Sequence, residues 1–245
     1  MVMIIGHRGG RNLWPENSLS GFRKLAAMPV EGVEFDVHLT TDGELLVIHD
    51  PTLDRTTDHS GPVAALPAGE HRNVRLKDSD GEAIPTLEEV FEIFRDGTME
   101  LHVELKAGVG HVAYPGLEAE AAALIDRFGL AERSILTSFH EEILVEIGRV
   151  APHIRRLSSF DRNSAERLGL KAGLSTMLEL SHIVAVEKSL LLAEWDAITA
   201  QVPLERLGAW VPNEEADLKL WLDKPIRQIT TDRPDRAVSI RGAKA

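Results

Sequence analysis

Two short stretches of this chain carry charged or imidazole side chains at every second residue. Glu34, Asp36 and His38 fall on one face of an extended segment, while Val33, Phe35 and Val37 fall on the other. Leu101–Lys106 repeats the pattern, with His102, Glu104 and Lys106 opposite Leu101, Val103 and Leu105. Ionised carboxylates are rarely buried without partners, so Glu34, Asp36 and Glu104 turned toward one interior call for a cation between them. Oxygen-only donors favour a hard ion, Mg²⁺ or Ca²⁺. The same spacing also suits structural salt bridges near strand ends, and spacing alone leaves both readings open. His7 and His49 each follow an apolar run. Two imidazoles can act as base and acid near neutral pH, although each taken singly also reads as a hydrogen-bonded structural side chain. Gly6, Gly9 and Gly10 bracket His7-Arg8 and permit a tight turn that a phosphate can approach closely. Arg8 and Lys106 would supply local positive charge, Arg8 as a planar fork suited to phosphate. A turn held by a salt bridge is the competing reading.

The elements that must hold these residues alternate between short apolar runs and amphipathic stretches, the βα rhythm of a parallel sheet with helices outside it. Strands are expected at Val2–Ile5, Val33–Leu39, Leu45–His49, Leu101–Lys106, Ser134–Ser138, Ile154–Ser158, Ile183–Glu187, Leu207–Val211 and Ile226–Thr231. Helices are expected at Leu19–Met28, Leu87–Phe94, Gly116–Phe128, Glu141–Val150, Ala165–Ala172, Leu190–Gln201 and Glu214–Leu222. This is the α/β class and the rhythm of a TIM (β/α)₈ barrel, with one strand too many. The second and third strands lie too close for a crossover helix, and Asp42-Gly43 between them is a strong hairpin signal, so one of the pair is expected to be an excursion. Pro51–Pro85 has no sustained period and reads as an insertion over one barrel end. Arg241–Ala245 reads as a frayed tail.

Composition narrows the function. The 245 residues, 43% of them hydrophobic, can bury a large core as one domain, 1–245, with its insertion at about 51–85. With 27 Lys+Arg against 39 Asp+Glu, the net charge of −12 repels nucleic acid and anionic lipid surfaces. An anionic substrate would then need a local positive site. The absence of Cys excludes disulfides, thiolate metal sites and a Cys nucleophile, and is compatible with the expected cytoplasmic location. Met1–Gly6 has no basic n-region, so no cleaved signal peptide is expected, and no apolar run approaches a membrane span. A homo-oligomer is compatible with a barrel, but no residue pattern identifies the face that would pair.

The ordered series His7-Arg8-Gly9-Gly10, Pro15-Glu16-Asn17-Ser18, Glu34-Phe35-Asp36-Val37, Thr41-Asp42-Gly43 and Val47-Ile48-His49-Asp50 resembles the glycerophosphodiester phosphodiesterase family. Leu53-Asp54-Arg55-Thr56-Thr57, Val103-Glu104-Leu105-Lys106, Ser138-Phe139 and Thr231-Asp232-Arg233-Pro234 continue it, so the resemblance runs from about residue 4 to about residue 236. It implies a TIM barrel with a small insertion after the third strand and one divalent cation, Mg²⁺ or Ca²⁺, held by Glu34, Asp36 and Glu104. His7 and His49 fall on the general acid/base pair, with His7 taken as base and His49 as acid. Arg8 and Lys106 fall on phosphate-binding positions, and Trp210 on a wall for the glycerol moiety. Asn17 or Ser18 is expected to cap the first helix. Trp14 and Phe139 are candidates for the same pocket or for ordinary core contacts. The chain departs from the family pattern at Trp210-Val211-Pro212-Asn213, where Trp-Thr-Val-Asn is usual, and at Gln228, where Gly is usual.

The implied reaction is metal-dependent hydrolysis of a glycerophosphodiester, such as glycerophosphocholine or glycerophosphoethanolamine, to glycerol 3-phosphate and an alcohol. One alternative is a phospholipase C- or D-like action on lysophospholipids, which would need an apolar interfacial surface that Pro51–Pro85 lacks. Another is a binding protein that has lost turnover, although none of His7, His49, Glu34, Asp36 or Glu104 is missing.

Overall fold

The computed structural model describes residues 1–243. Its strands are β1 (Met3–His7), β2 (Gly32–Leu39), β3 (Leu45–Val47), β4 (Glu100–Leu105), β5 (Ser134–Ser138), β6 (Arg155–Phe160), β7 (Ile183–Glu187), β8 (Leu207–Trp210) and β9 (Gln228–Thr231). Its helices are α1 (Leu19–Ala26), α2 (Leu87–Phe94), α3 (Leu117–Arg127), α4 (Glu141–Val150), α5 (Arg162–Leu168), α6 (Leu170–Leu180), α7 (Lys188–Ala193), α8 (Trp195–Thr199), α9 (Glu215–Asp223) and α10 (Pro234–Gly242). Eight parallel strands close into a TIM barrel because β1 pairs with both β2 and β9. The excess strand is β3, antiparallel to β2 with Val37 opposite Val47 and His38 opposite Leu46. Gly43 makes that hairpin possible, since its φ of +88° is a left-handed conformation that glycine adopts without steric cost.

Strand alternation sorts the barrel into two apolar layers and a polar top. Val33, Phe35 and Val37 point outward, and Phe35 meets Phe22 of α1 and Phe91 of α2 edge-on. Ile135, Leu157, Ile183 and Ala185 fill the interior beneath Trp210. The segment after β3 has a core of its own: Leu46 and Ile48 meet Leu53, Val63, Val74, Leu76 and Ile84. It is thereby a packed platform over the top of the barrel, lying against the hairpin.

Several expected boundaries move. Expected helix Ala165–Ala172 is two helices, α5 and α6, divided at Gly169 with φ +77° and ψ 136°. Expected helix Leu190–Gln201 divides into α7 and α8 at Glu194. Strand β4 stops at Leu105, so Lys106 lies in the loop, whereas β1 runs on to include His7. Helix α10 was not foreseen because it is mostly polar and buries only Pro234 and Ala237. Arg241, expected in a frayed tail, lies in α10, where its guanidinium binds Glu31 and the Pro29 carbonyl. Lys244 and Ala245, at the end of that expected tail, lie outside the described residues. Among the described residues, no helix is long and apolar enough to cross a membrane.

Candidate active site

Parallel register brings the acids together. His7 pairs with Glu34 across β1 and β2, and Asp36 with Glu104 across β2 and β4. All these side chains turn inward at the C-terminal end of the barrel, where loops rather than packing constrain chemistry. Glu34, Asp36 and Glu104 each place a carboxylate oxygen within 4.8 Å of the others. Asp36 receives the Asn17 side-chain amide at 2.9 Å and lies 3.3 Å from the Lys106 ammonium, which also donates to Glu104 at 2.6 Å. Glu34 accepts the Arg8 backbone N–H at 3.1 Å through Oε2, while its buried Oε1 has no hydrogen-bond partner.

Burial and the neighbouring carboxylates act unequally on this cluster. Burial pushes the Glu34 carboxyl well above its usual range, and Asp36 and Glu104 add to the shift. Burial also raises Asp36, but Lys106 and Arg8 outweigh it and hold the group well below the usual carboxylate range. Burial lowers the Lys106 ammonium, and Glu104 and Asp36 more than reverse that. The donor set fits a hard divalent cation: three carboxylates converge, and Glu34 Oε1 and Asn17 Oδ1 are buried acceptors without a donor.

Each of the two histidines is fixed by an aspartate. His7 Nδ1 lies 2.6 Å from Asp232 Oδ1, which leaves Nε2 facing Glu34 at 3.8 Å. Asp232 is itself held by Asn213, whose amide donates to Oδ2 at 2.7 Å and whose carbonyl oxygen accepts the Asp232 backbone N–H at 2.9 Å. His49 Nδ1 lies 2.6 Å from Asp50 Oδ1. Its backbone carbonyl accepts from His38 Nε2 at 3.1 Å, while His38 Nδ1 takes the Tyr114 hydroxyl at 2.8 Å. Burial pushes the His49 imidazole down, with Asp36 opposing the shift.

His7, Arg8, Glu34, His49 and Glu104 line one cavity of about 230 Å³, whose opposite wall is Phe139 and Trp210. These two rings meet edge-on at 5.4 Å, and the Trp210 indole N–H donates to the Ala185 carbonyl. The Arg8 guanidinium is anchored by Glu16 at 3.1 Å and lies 3.4 Å from Asp36. Arg8 and Asn17 both have positive φ, +47° and +54°, which concentrates backbone strain in the loop that aims them. A larger groove of about 620 Å³ lies between the β2–β3 hairpin, α2 and α3, away from all these groups.

Of the residues singled out by sequence, His7, Arg8, Glu34, Asp36, His49, Glu104, Lys106 and Trp210 come together here. Phe139 joins them. Trp14 does not line the cavity; it packs against Gly10 and under the Lys24 ammonium. Of the two residues expected to cap α1, Ser18 is the cap, accepting the Gly21 N–H, while Asn17 is not: its amide goes to Asp36. Asp232, Asn213, Asp50, Arg55 and His38 received no role from sequence. Asp50 and Asp232 had a weak local signal, each being an acid directly after a strand or its extension, but their partners were invisible.

Comparison with known proteins agrees with this geometry. The model of the glycerophosphoryl diester phosphodiesterase family matches residues 7–236. A glycerophosphodiester phosphodiesterase of Bacillus altitudinis is 30% identical over 252 aligned positions, covering 98% of each chain. One from Caldanaerobacter subterraneus subsp. tengcongensis is 37% identical over 159 residues, a match that spans 63% of this chain and 65% of that protein, just under two thirds. A crystal structure from Agrobacterium tumefaciens, placed provisionally in the same family by its name, superposes with a TM-score of 0.92 at 29% identity, covering 100% of this chain and 98% of that one. An Oleispira antarctica phosphodiesterase, solved with its product sn-glycerol-3-phosphate, superposes with a TM-score of 0.78 at 25% identity, covering 98% and 96%.

Proposed function

The chain belongs to the glycerophosphoryl diester phosphodiesterase family, and from that premise we propose that it hydrolyses soluble glycerophosphodiesters, such as glycerophosphocholine or glycerophosphoethanolamine, to glycerol 3-phosphate and an alcohol. The observation that carries the reading is a cavity lined by two histidines, each held by an aspartate, with Arg8, Glu34 and Glu104 on its wall and with Asp36 and Lys106 closing the carboxylate cluster behind them. Glu34, Asp36 and Glu104 would hold one Mg²⁺ or Ca²⁺. When bound, the ion would help neutralise charge developing on the phosphoryl oxygens.

The chain's own groups divide the remaining work. Arg8 and Lys106 bind the phosphate, Arg8 with its guanidinium braced from behind by Glu16. Asp232 accepts a hydrogen bond from the Nδ1–H of His7 and leaves the bare Nε2 in the cavity, where it removes a proton from the attacking hydroxyl. His49, its Nδ1 committed to Asp50, delivers a proton from Nε2 to the departing alkoxide. Phe139 and Trp210 shelter the carbon face of the glycerol moiety. We place the reaction in the cytoplasm and assign it to residues 1–245 as one unit, with 51–85 as its insertion.

The test is release of glycerol 3-phosphate from glycerophosphocholine by purified protein after EDTA treatment, then with Mg²⁺ or Ca²⁺ restored. Turnover is expected to vanish and return. Turnover indifferent to EDTA would remove the cation from the reading, and inertness with either ion on a panel of glycerophosphodiesters would overturn the substrate assignment.

A further inference from the structure

The Leu53-Asp54-Arg55-Thr56-Thr57 segment has no part in the chemistry above, yet it is built as a rigid mount for one side chain. Leu53 is buried in the core of the platform formed by residues 51–85. Thr57 closes the turn, its backbone N–H and its hydroxyl both donating to the Leu53 carbonyl. Asp54 accepts the Gly61 N–H, and Lys77 donates its ammonium to the Asp54 and Arg55 carbonyls. Arg55 alone reaches toward the barrel.

Its guanidinium joins two loops, the one that follows β1 and the one that follows β3. Nε and Nη2 donate to the two Asp50 oxygens at 2.6 and 3.0 Å, and Nη1 and Nη2 donate to the two Glu16 oxygens at 3.0 and 2.8 Å. Asp50 is the residue that holds His49, and Glu16 the residue that braces Arg8. A planar fork bonded on two edges fixes both carboxylates in position and plane, which a flexible point charge cannot do. Burial pushes the Asp50 carboxyl up, but the hydrogen bonds from Arg55 and His49 prevail and leave it at about 2, so it stays a pure acceptor for the His49 Nδ1–H.

We infer that Arg55 is a positioning residue: acting through Asp50, it fixes the tautomer and direction of the His49 ring, and so links the platform of residues 51–85 to protonation of the leaving alcohol. The inference rests on the proposed role of His49 as general acid. Because Arg55 is 45% exposed in its side chain, its effect is geometric, with little Coulombic contribution surviving solvent screening.

The experiment compares wild type, Arg55→Met, Arg55→Lys and Asp50→Asn, each with and without His49→Ala, on glycerophosphocholine and on a glycerophosphodiester of p-nitrophenol. Arg55→Met is expected to lower kcat on glycerophosphocholine by about 10- to 100-fold, the cost of misdirecting a reacting group, with KM and Tm nearly unchanged. On the nitrophenyl ester, whose alcohol needs no proton, the loss should be below about threefold. In the His49→Ala background the same change should add nothing, the signature of two residues acting through one path. Arg55→Lys should recover only part of the rate. An equal loss on both diesters, a full further loss without His49, or a fall in Tm alone would each overturn the inference. Ring ¹H–¹⁵N NMR separates this from the functional reading: in the neutral state, the form left once Nε2 has given up its proton, wild type should show His49 as the single tautomer protonated at Nδ1, and Arg55→Met a mixture of the two. Should wild type be inert on both diesters, the substrate reading falls, and an unchanged tautomer in Arg55→Met would still refute the role of Arg55.

Discussion

The two ends of the barrel both gather charge, but only one of them satisfies it. At the N-terminal end, Glu100 accepts Arg155 at 2.9 Å, both oxygens accept Arg227 at 2.8 and 2.7 Å, and His102 lies 3.3 Å away. Burial raises the Glu100 carboxyl, and His102 and Arg227 overcome that and hold it well below the usual carboxylate range. At the C-terminal end, three carboxylates crowd together, Glu34 Oε1 has no partner, and burial with Asp36 and Glu104 lifts the Glu34 carboxyl. Similar side chains four residues apart on one face of a single strand, Glu100 and Glu104 of β4, therefore serve opposite ends. Charge that is fully paired contributes to stability, and charge left partly unmatched is stability given up to a site that must bind something else.

The sharpest test of this contrast is Glu34→Gln, which should move activity and stability in opposite directions. Turnover should fall by about 10³-fold or more through the lost carboxylate ligand, with partial recovery at high metal. A carboxyl raised by folding costs stability as pH rises above its unfolded value, so in EDTA above neutral pH Glu34→Gln should melt higher, on the order of 2–4 °C for ~1 kcal/mol in a chain of this size. Calorimetry and a rate assay on the same sample decide it; a lower Tm would break the contrast.

Asp232→Asn should leave Tm within a degree or so of wild type and reduce kcat by about 10²–10³-fold, since an amide no longer selects the His7 tautomer with a bare Nε2. Loss confined to KM would mean that Asp232 shapes the cavity without directing His7.

Glu100→Gln should do the reverse, leaving kcat within about twofold while destabilising the fold by about 2–3 kcal/mol, below the full cost of breaking a buried pair because some solvent reaches Glu100. A carboxyl depressed by folding contributes stability that is present above its unfolded value near 4.5 and disappears as pH falls toward the folded one. The acid limb of the wild-type Tm profile below pH 4.5 should accordingly flatten in Glu100→Gln. An unchanged acid limb would show that the N-terminal cluster is not where acid stability resides.

The candidate catalytic face was legible from sequence because it is written in nearest neighbours. A period of two sends Glu34 with Asp36, and His102 with Glu104, to one side of a strand irrespective of what lies across the sheet. The excess strand was legible for the same reason, since Asp42-Gly43 specifies a turn locally. Elements that lean on distant neighbours were not. Helix α10 lacks an apolar stripe, and its last turn is fastened by Arg241 to Glu31, 210 residues earlier. The split of α5 from α6 lies at Gly169, which a helical reading accommodates only by overlooking its cost.

Sequence alone thus determined the residue types, their spacing and the face each presents, because these follow from the geometry of one strand or turn. Only the tertiary structure decided the partners. His7 meets Asp232 across 225 residues because β9 closes against β1, and Arg55 meets Glu16 across 39 because the platform of residues 51–85 folds back over the barrel mouth. It also decided which carboxylates are paired and which strained. Burial and through-space charge set those energies, and neither is a property of adjacent residues in a chain.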